Sequence, residues 1–267
     1  MTGISNSNLD ESGPLMEERR RQIRELIVEK GSVTTEELST RFRTSLVTVR
    51  GDLKVLAEAG ALVRTHGGAI ALRDTEELPI DVKRTLHLAE KVRIASAAAE
   101  MIRDGETILL DSGTTTGEIA KQIRTLPVQS LTVITNALNV AVTLSQSPHV
   151  RLVMLGGVLR PHSYSLSGPL AESALESLQA DRLFIGVDSL DPEVGLMTPH
   201  LFEAQLNAKM IRSAREVVAV ADSSKLARRN LSVIAKVEQI DKLITDRAAN
   251  PETVDALRQR GLDVVLV

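Results

Sequence analysis

Residues 45–60, SLVTVRGDLKVLAEAG, carry the signals of a helix with a start, a buried face, an exposed face and a stop. The Ser45 hydroxyl can accept from the first-turn N–H groups, which have no partner inside a helix. Val49, Leu53 and Leu56 recur at helical spacing and form one apolar stripe. Gly60 follows the last turn, where glycine takes a left-handed cap most easily. The opposite face carries Leu46, Val47, Arg50, Gly51 and Lys54, a mixture of apolar, small and basic groups that suits insertion into the major groove of DNA. Any amphipathic helix shares this outline, so the flanking sequence decides.

Upstream, residues 16–30 form a helix with Ile23, Leu26 and Ile27 on one face and Gly31 ending it. Thr34 or Thr35 then caps a short second helix carrying Leu38 and Phe42. Downstream, Leu62-Val63-Arg64 and Ala69-Ile70-Ala71-Leu72 read as short strands around the turn His66-Gly67-Gly68. Three helices followed by a β-hairpin make a winged helix-turn-helix over residues 16–73. The candidate DNA contacts are Thr35, Ser45, Leu46, Val47, Thr48, Arg50 and Lys54, with Arg64 and His66 from the wing. His66 has a second role open to it, shaping the turn beside Gly67-Gly68. Arg19, Arg20 and Arg21 read as a solvated helix face, with one or two in reach of phosphate.

The net charge of −3 does not by itself suggest a nucleic-acid binder. Residues 16–73, however, hold 11 Lys and Arg against 8 Asp and Glu, whereas residues 74–267 hold 21 against 25. A basic segment on an acidic remainder confines phosphate contact to one part of the chain. With one Tyr, three Phe and no Trp, base-stacking modes of single-strand or RNA binding lack their platforms. The absence of Cys excludes disulfides, thiolate metal sites and cysteine nucleophiles. No run approaches a membrane span and residues 1–15 lack a signal-peptide core, so the expected location is cytoplasmic, with no membrane partner. Those fifteen residues, rich in Ser, Asn, Gly and Pro, read as a disordered tail.

Residues 74–89 read as an interdomain linker running into a helix over about residues 90–102. From there, short Val/Ile/Leu runs alternate with helices, which implies an α/β domain over residues 90–267 with a mostly parallel sheet covered on both faces. Ligands of such sheets bind beyond the carboxyl ends of the strands. The residues at those ends are small and polar: Asp111, Ser112, Gly113, Thr114, Thr115 and Thr116, then Thr135 and Asn136, Gly156 and Gly157, Asp188, and Lys225. Glycines, hydroxyls and a helix N-terminus offer donors to an anion, with Lys225 as the matching charge. Asn136 and Asp188 suit sugar hydroxyls. A phosphorylated sugar is therefore the expected effector. Arg160 and His162 lie in a loop that either flaps over this pocket or is simply solvated. The histidines have no ligand-spaced partners, so neither metal nor cofactor is expected.

The stretches RRRQIRELIVEKGSVTTEELSTRF and TSLVTVRGDLKVLAEAGALVRTHGGAIAL resemble the N-terminal domain of the DeoR family of bacterial transcriptional regulators. One departure stands out: the family usually has two consecutive arginines before Asp-Leu, and here Gly51 follows Arg50. The motifs L-D-S-G-T-T-T, V-I-T-N, L-G-G, F-I-G-V-D and A-D-S-S-K resemble the family's C-terminal domain, which is similar in fold to ribose-5-phosphate isomerase. The resemblance implies a repressor of a carbohydrate operon, bound to double-stranded operator DNA as a homodimer or homotetramer and modulated by a sugar phosphate. Residues 195–211, with Asn207 where many members have lysine, resemble the subgroup that regulates amino-sugar use. The alternative is a sugar-phosphate isomerase or deaminase with Asp188, Asp191 or Glu203 as base, although Asp191 and Glu203 read as solvated charges. An enzyme has no use for residues 16–73.

Overall fold

The computed structural model describes residues 16–58, 62–65, 67–71 and 80–267. The expected tail, Gly60, His66, Leu72 and the first part of the expected linker lie outside the described residues. The chain divides into two compact units, Met1–Leu78 and Pro79–Val267.

In the first unit, α1 (Met16–Lys30), α2 (Thr35–Arg41) and α3 (Leu46–Glu58) pack over a three-stranded sheet of β1 (Ser32–Thr34), β2 (Leu62–Thr65) and β3 (Gly68–Ala71), in the order β1-β3-β2. Thr34, not Thr35, caps α2, through a capping box in which Glu37 N–H donates to the Thr34 hydroxyl and Thr34 N–H donates to Glu37. Ser45 caps α3 by accepting from Thr48 N–H at 3.1 Å. Val49, Leu53 and Leu56 are buried with Ile23, Ile27, Val33, Leu38 and Phe42 in one core, so the apolar stripe is what docks α3. Three-residue β1, absent from the expected elements, pairs antiparallel with β3. It explains Gly68: a Cβ there would stand 1.9 Å from the Val33 carbonyl oxygen.

The second unit is built on a seven-stranded, all-parallel sheet in the order β15-β14-β12-β9-β4-β5-β6. Its strands are β4 (Thr107–Leu110), β5 (Leu131–Thr135), β6 (Val150–Met154), β9 (Ala180–Gly186), β12 (Ala214–Val220), β14 (Lys242–Thr245) and β15 (Asp263–Leu266). The strand residues alternate between two cores. Leu109, Leu183, Ile185, Val217, Ala219 and Leu243 face α8 (Pro169–Leu175), α9 (Leu201–Arg212) and α10 (Pro251–Gln259). Ile108, Leu110, Phe184, Val218, Val220 and Ile244 face α5 (Leu88–Ala99), α6 (Thr114–Ile123) and α7 (Leu138–Leu144). Burial on both faces is why these strands read as continuous apolar runs.

Three features depart from the expected organisation. Residues 80–89 belong to the second unit: α4 (Ile80–Thr85) packs on α6 and is followed directly by α5. A hairpin of β7 (Val158–Arg160) and β8 (Ser165–Ser167) leaves the end of β6. A small antiparallel sheet of β10 (Ser189–Asp191), β11 (Gly195–Thr198) and β13 (Ser232–Ala235) follows β9.

Candidate functional site

The outward face of α3 presents Leu46, Val47, Arg50, Gly51, Lys54 and Val55 to solvent, with Val47 77% exposed. The family of side chains expected to meet DNA is therefore divided cleanly from the stripe that anchors the helix. Leu46 and Val47, exposed apolar groups beside Ser45 and Thr48 in the first turn, suit contact with thymine methyls. Arg64 lies half-exposed on β2. Thr35 is placed differently: it is 5% exposed, and its hydroxyl and N–H both donate to Gly67 O, which ties α2 to the wing.

Asp52 was not among the expected site residues, yet it organises this face. It is 2% exposed and accepts from Arg19 Nε at 2.6 Å and Arg20 Nε at 2.8 Å. Arg19 and Arg20 are thus committed to holding α1 against α3, not to a solvated face. Arg21 alone of the three keeps to the surface, paired with Glu18 and Glu25. The Asp beside Arg50 and Gly51 is legible in sequence only as one charge on an otherwise apolar stripe.

In the second unit, the parallel sheet brings the polar strand ends to one carboxyl edge, in spatial order Asp222–Lys225 after β12, Asp188 after β9, Asp111–Thr116 after β4, Asn136 after β5 and Gly156-Gly157 after β6. The chain winds one way from β4 through β5 to β6 and the other way from β9 through β12 to β15. The reversal between β4 and β9 is the topological switch point, where open α/β sheets bind ligands. Gly113 and Gly186 face each other there: a Cβ on Gly113 would come within 3.3 Å of Gly186 Cα, and one on Gly186 within 3.2 Å of Gly113 Cα.

Asp111 shapes the loop from inside. Its Oδ1 accepts from Gly113 N–H at 3.0 Å and from the Thr116 hydroxyl at 2.8 Å. Burial pushes its pKa up to about 6, opposed by the Gly186 and Gly113 N–H groups and the Thr116 hydroxyl, while Asp188 adds to the rise. Gly113 is the N-cap of α6 and supplies no side-chain cap, so the first-turn N–H groups at the carboxyl edge lack the cap that a side chain would give. Ser112 and Thr115 are buried beside them. Thr135 accepts from Ala137 N–H and fixes the β5 turn. Asn136 is 1% exposed; its Nδ2 donates to Leu166 O, and its Oδ1 has no partner among the described residues.

Charged groups converge on the switch point. Burial opposes ionisation of Asp188, but Lys83, Lys225, the Thr198 hydroxyl and His200 together hold it below the usual carboxylate range. Thr198 donates to Asp188 Oδ2 at 2.9 Å, and Lys83 Nζ lies 3.6 Å from Oδ1. Glu203, expected as a solvated helix charge, is only 16% exposed and pairs with Arg160 at 2.6 Å. Burial, reinforced by Asp188, raises it to about 7 against the opposing pull of Arg160. Arg160 sits on the β7–β8 hairpin and reaches inward. Gly156 and Gly157 launch that hairpin at positive φ, and a Cβ on Gly157 would stand 2.5 Å from Ser167 O. Asp191, the third alternative base, is a structural group bonded to Arg229 and to the Glu193 and Val194 N–H groups. Lys83, Glu203 and His200 come from helices and a helix cap, and Thr198 ends β11 outside the parallel sheet, so the parallel-sheet rule reaches none of them. Lys91, buried on α5, donates to Lys83 O and Leu86 O, and burial lowers its pKa to about 8.

Similarity to known proteins agrees with this division of the chain. A DeoR-like helix-turn-helix domain matches residues 19–75, and a DeoR C terminal sensor domain matches residues 86–247. The "Putative aga operon transcriptional repressor" of Escherichia coli O157:H7 is 39% identical over 268 residues, covering 98% of this chain and 99% of that one. The "Glycerol-3-phosphate regulon repressor" of Escherichia coli K12 is 31% identical, covering 93% and 98%. Among solved structures, ribose 5-phosphate isomerase A from Methanocaldococcus jannaschii aligns with TM-score 0.38 at 20% identity, over 51% of this chain and 53% of that one. With both domains matched in order and a relative similar over nearly its whole length, the chain belongs to the DeoR family of transcriptional regulators, DNA-binding proteins and not enzymes.

Proposed function

We propose that this regulator represses a carbohydrate operon through α3 and its wing, and that a phosphorylated sugar bound at the β4–β9 switch point changes its affinity for DNA. The observation that carries the effector assignment is the pairing, on one sheet edge, of an anion cradle at the start of α6 with cations Lys83 and Lys225 and carboxylates Asp188 and Glu203. The N-terminal turn of α6 takes the phosphate; Asn136 Oδ1 and Asp188 take hydroxyls. The carboxylates beside the cradle also favour an ammonium or amide substituent, so the effector is an amino-sugar phosphate.

The repressor acts as a homodimer or homotetramer assembled through the second unit. Leu201 and Phe202 at the start of α9, with Leu231 and Val233 on and beside edge strand β13, supply an exposed apolar surface for it. Two copies then place two recognition helices on repeated half-sites. The test is a gel shift on DNA upstream of the protein's own gene, titrated with galactosamine 6-phosphate, N-acetylgalactosamine 6-phosphate and glycerol 3-phosphate. Retardation altered by an amino-sugar phosphate supports the assignment. No retardation at moderate salt rejects the operator, and retardation indifferent to every phosphate rejects the effector.

A further inference from the structure

The second unit begins with α4, a helix of six residues, and four ties among the described residues hold it from three places. Ile80 N–H donates to His162 O at 2.7 Å, in the turn of the β7–β8 hairpin. The Tyr164 hydroxyl, from the same turn, donates to Asp81 at 3.2 Å. Lys91 Nζ donates to Lys83 O and Leu86 O at 2.6 Å each, closing the carboxyl end of α4. The fourth tie is the Lys83–Asp188 ion pair, the only one of the four that ends in the effector site.

That tie is the loosest. At 3.6 Å it is well beyond the 2.7–2.9 Å typical of a charge-assisted hydrogen bond. Lys83 is the foremost of the groups that hold Asp188 ionised, but Asp188 also feels Lys225, accepts from Thr198 and feels His200, and these remain if Lys83 turns elsewhere. Both side chains retain about a quarter of their exposure, which leaves the ammonium room to move. A phosphate seated at the start of α6, on which α4 packs, offers three acceptor oxygens and more charge than one shared carboxylate.

We propose that Lys83 is an effector ligand supplied by the segment that joins the two units, its ammonium passing from Asp188 to the effector phosphate. Occupancy of the site then tightens α4, the point at which the covalent connection from the DNA-binding unit enters the sensor. The ligand gains differential affinity for one anchoring of that segment, which an effector must have to shift an equilibrium. The proposal rests on the effector assignment above, and the two fail differently.

The test uses the full chain and the three phosphates already named. Calorimetry gives the affinity of wild type, Lys83→Met and Lys83→Arg, and amide exchange follows residues 80–86 with and without ligand. Loss of one charged contact should weaken binding about 10- to 100-fold in Lys83→Met, and Lys83→Arg should recover most of it. Exchange in α4 should slow on saturation of wild type and not of Lys83→Met. Wild-type affinity in Lys83→Met, or α4 exchange indifferent to ligand, overturns the role of Lys83. Failure of wild type to bind any of the three overturns the effector assignment itself.

Discussion

Replacing Gly51 with arginine separates the two things α3 does. Gly51 is exposed in the middle of the helix, one turn from Val47 and Lys54, and a Cβ there meets nothing within 4 Å. Helix propensity alone should stabilise the first unit by about 1 kcal/mol, because glycine costs that much relative to alanine and arginine ranks close to alanine. For a unit of this size that is a rise in melting temperature of about 4–8 °C. The added cation lies on the face that carries Arg50 and Lys54, so it should neutralise one further phosphate. Each neutralised phosphate adds about 0.9 to the slope of log affinity against log salt, so a fourfold rise in salt costs Gly51→Arg about 3.5-fold more affinity than wild type per helix. Gly51→Ala is the control: it should gain the stability and keep the wild-type slope. Fluorescence anisotropy on operator DNA between about 50 and 200 mM salt reads the slope, and calorimetric melting reads the stability. If Gly51→Arg and wild type share one slope, position 51 does not face DNA and the assigned docking of α3 is wrong.

Three further outcomes follow from the same structure. Arg50→Ala should abolish operator-specific binding while leaving weak, salt-sensitive binding to random DNA; equal loss on both would demote Arg50 to a phosphate contact. Asp52→Asn removes the buried charge between Arg19 and Arg20 and should destabilise the first unit by roughly 3 kcal/mol, measured by denaturant midpoint. Glu203 is raised from 4.5 to about 7, chiefly by burial, so the folded chain keeps a proton that the unfolded chain has released between those values. Its contribution to stability is therefore complete below pH 4.5 and lost as pH rises through 7. Glu203→Gln should flatten that decline in midpoints taken at about pH 5 and about pH 8, and an unchanged decline would place its source elsewhere.

Much of this architecture was legible because local signals and tertiary packing agree. The Val49, Leu53 and Leu56 stripe reads as buried and is buried, and Ser45 reads as a cap and caps. The polar strand ends were legible for a topological reason: a parallel sheet sends every strand's carboxyl end to one edge. What local pattern cannot encode is which strands are neighbours, so the switch point between β4 and β9 emerges only from the structure. Lys83 from α4 pairs with Asp188, Glu203 from α9 feels Asp188, and Arg160 from a hairpin pairs with Glu203, across separations that leave no periodic trace. Glu203 reads as solvated because a helix carboxylate usually is, and only the fold brings Arg160 to it. Asp52 sat unremarked because a carboxylate that orders two arginines on another helix looks, in sequence, like any helix charge. Strand β1, at three residues, is too short to alternate.

The proposed regulator couples, within one molecule, a sugar phosphate at the β4–β9 edge to DNA at α3. Coupling of this kind is reciprocal: the factor by which the effector changes operator affinity must equal the factor by which operator changes effector affinity. Calorimetric titration of the full chain with galactosamine 6-phosphate, in the absence and presence of saturating operator duplex, measures the second factor directly. The expected shift is about 5- to 150-fold, matching that found by anisotropy in the other direction and absent with a scrambled duplex. Identical effector affinities with and without operator would contradict it.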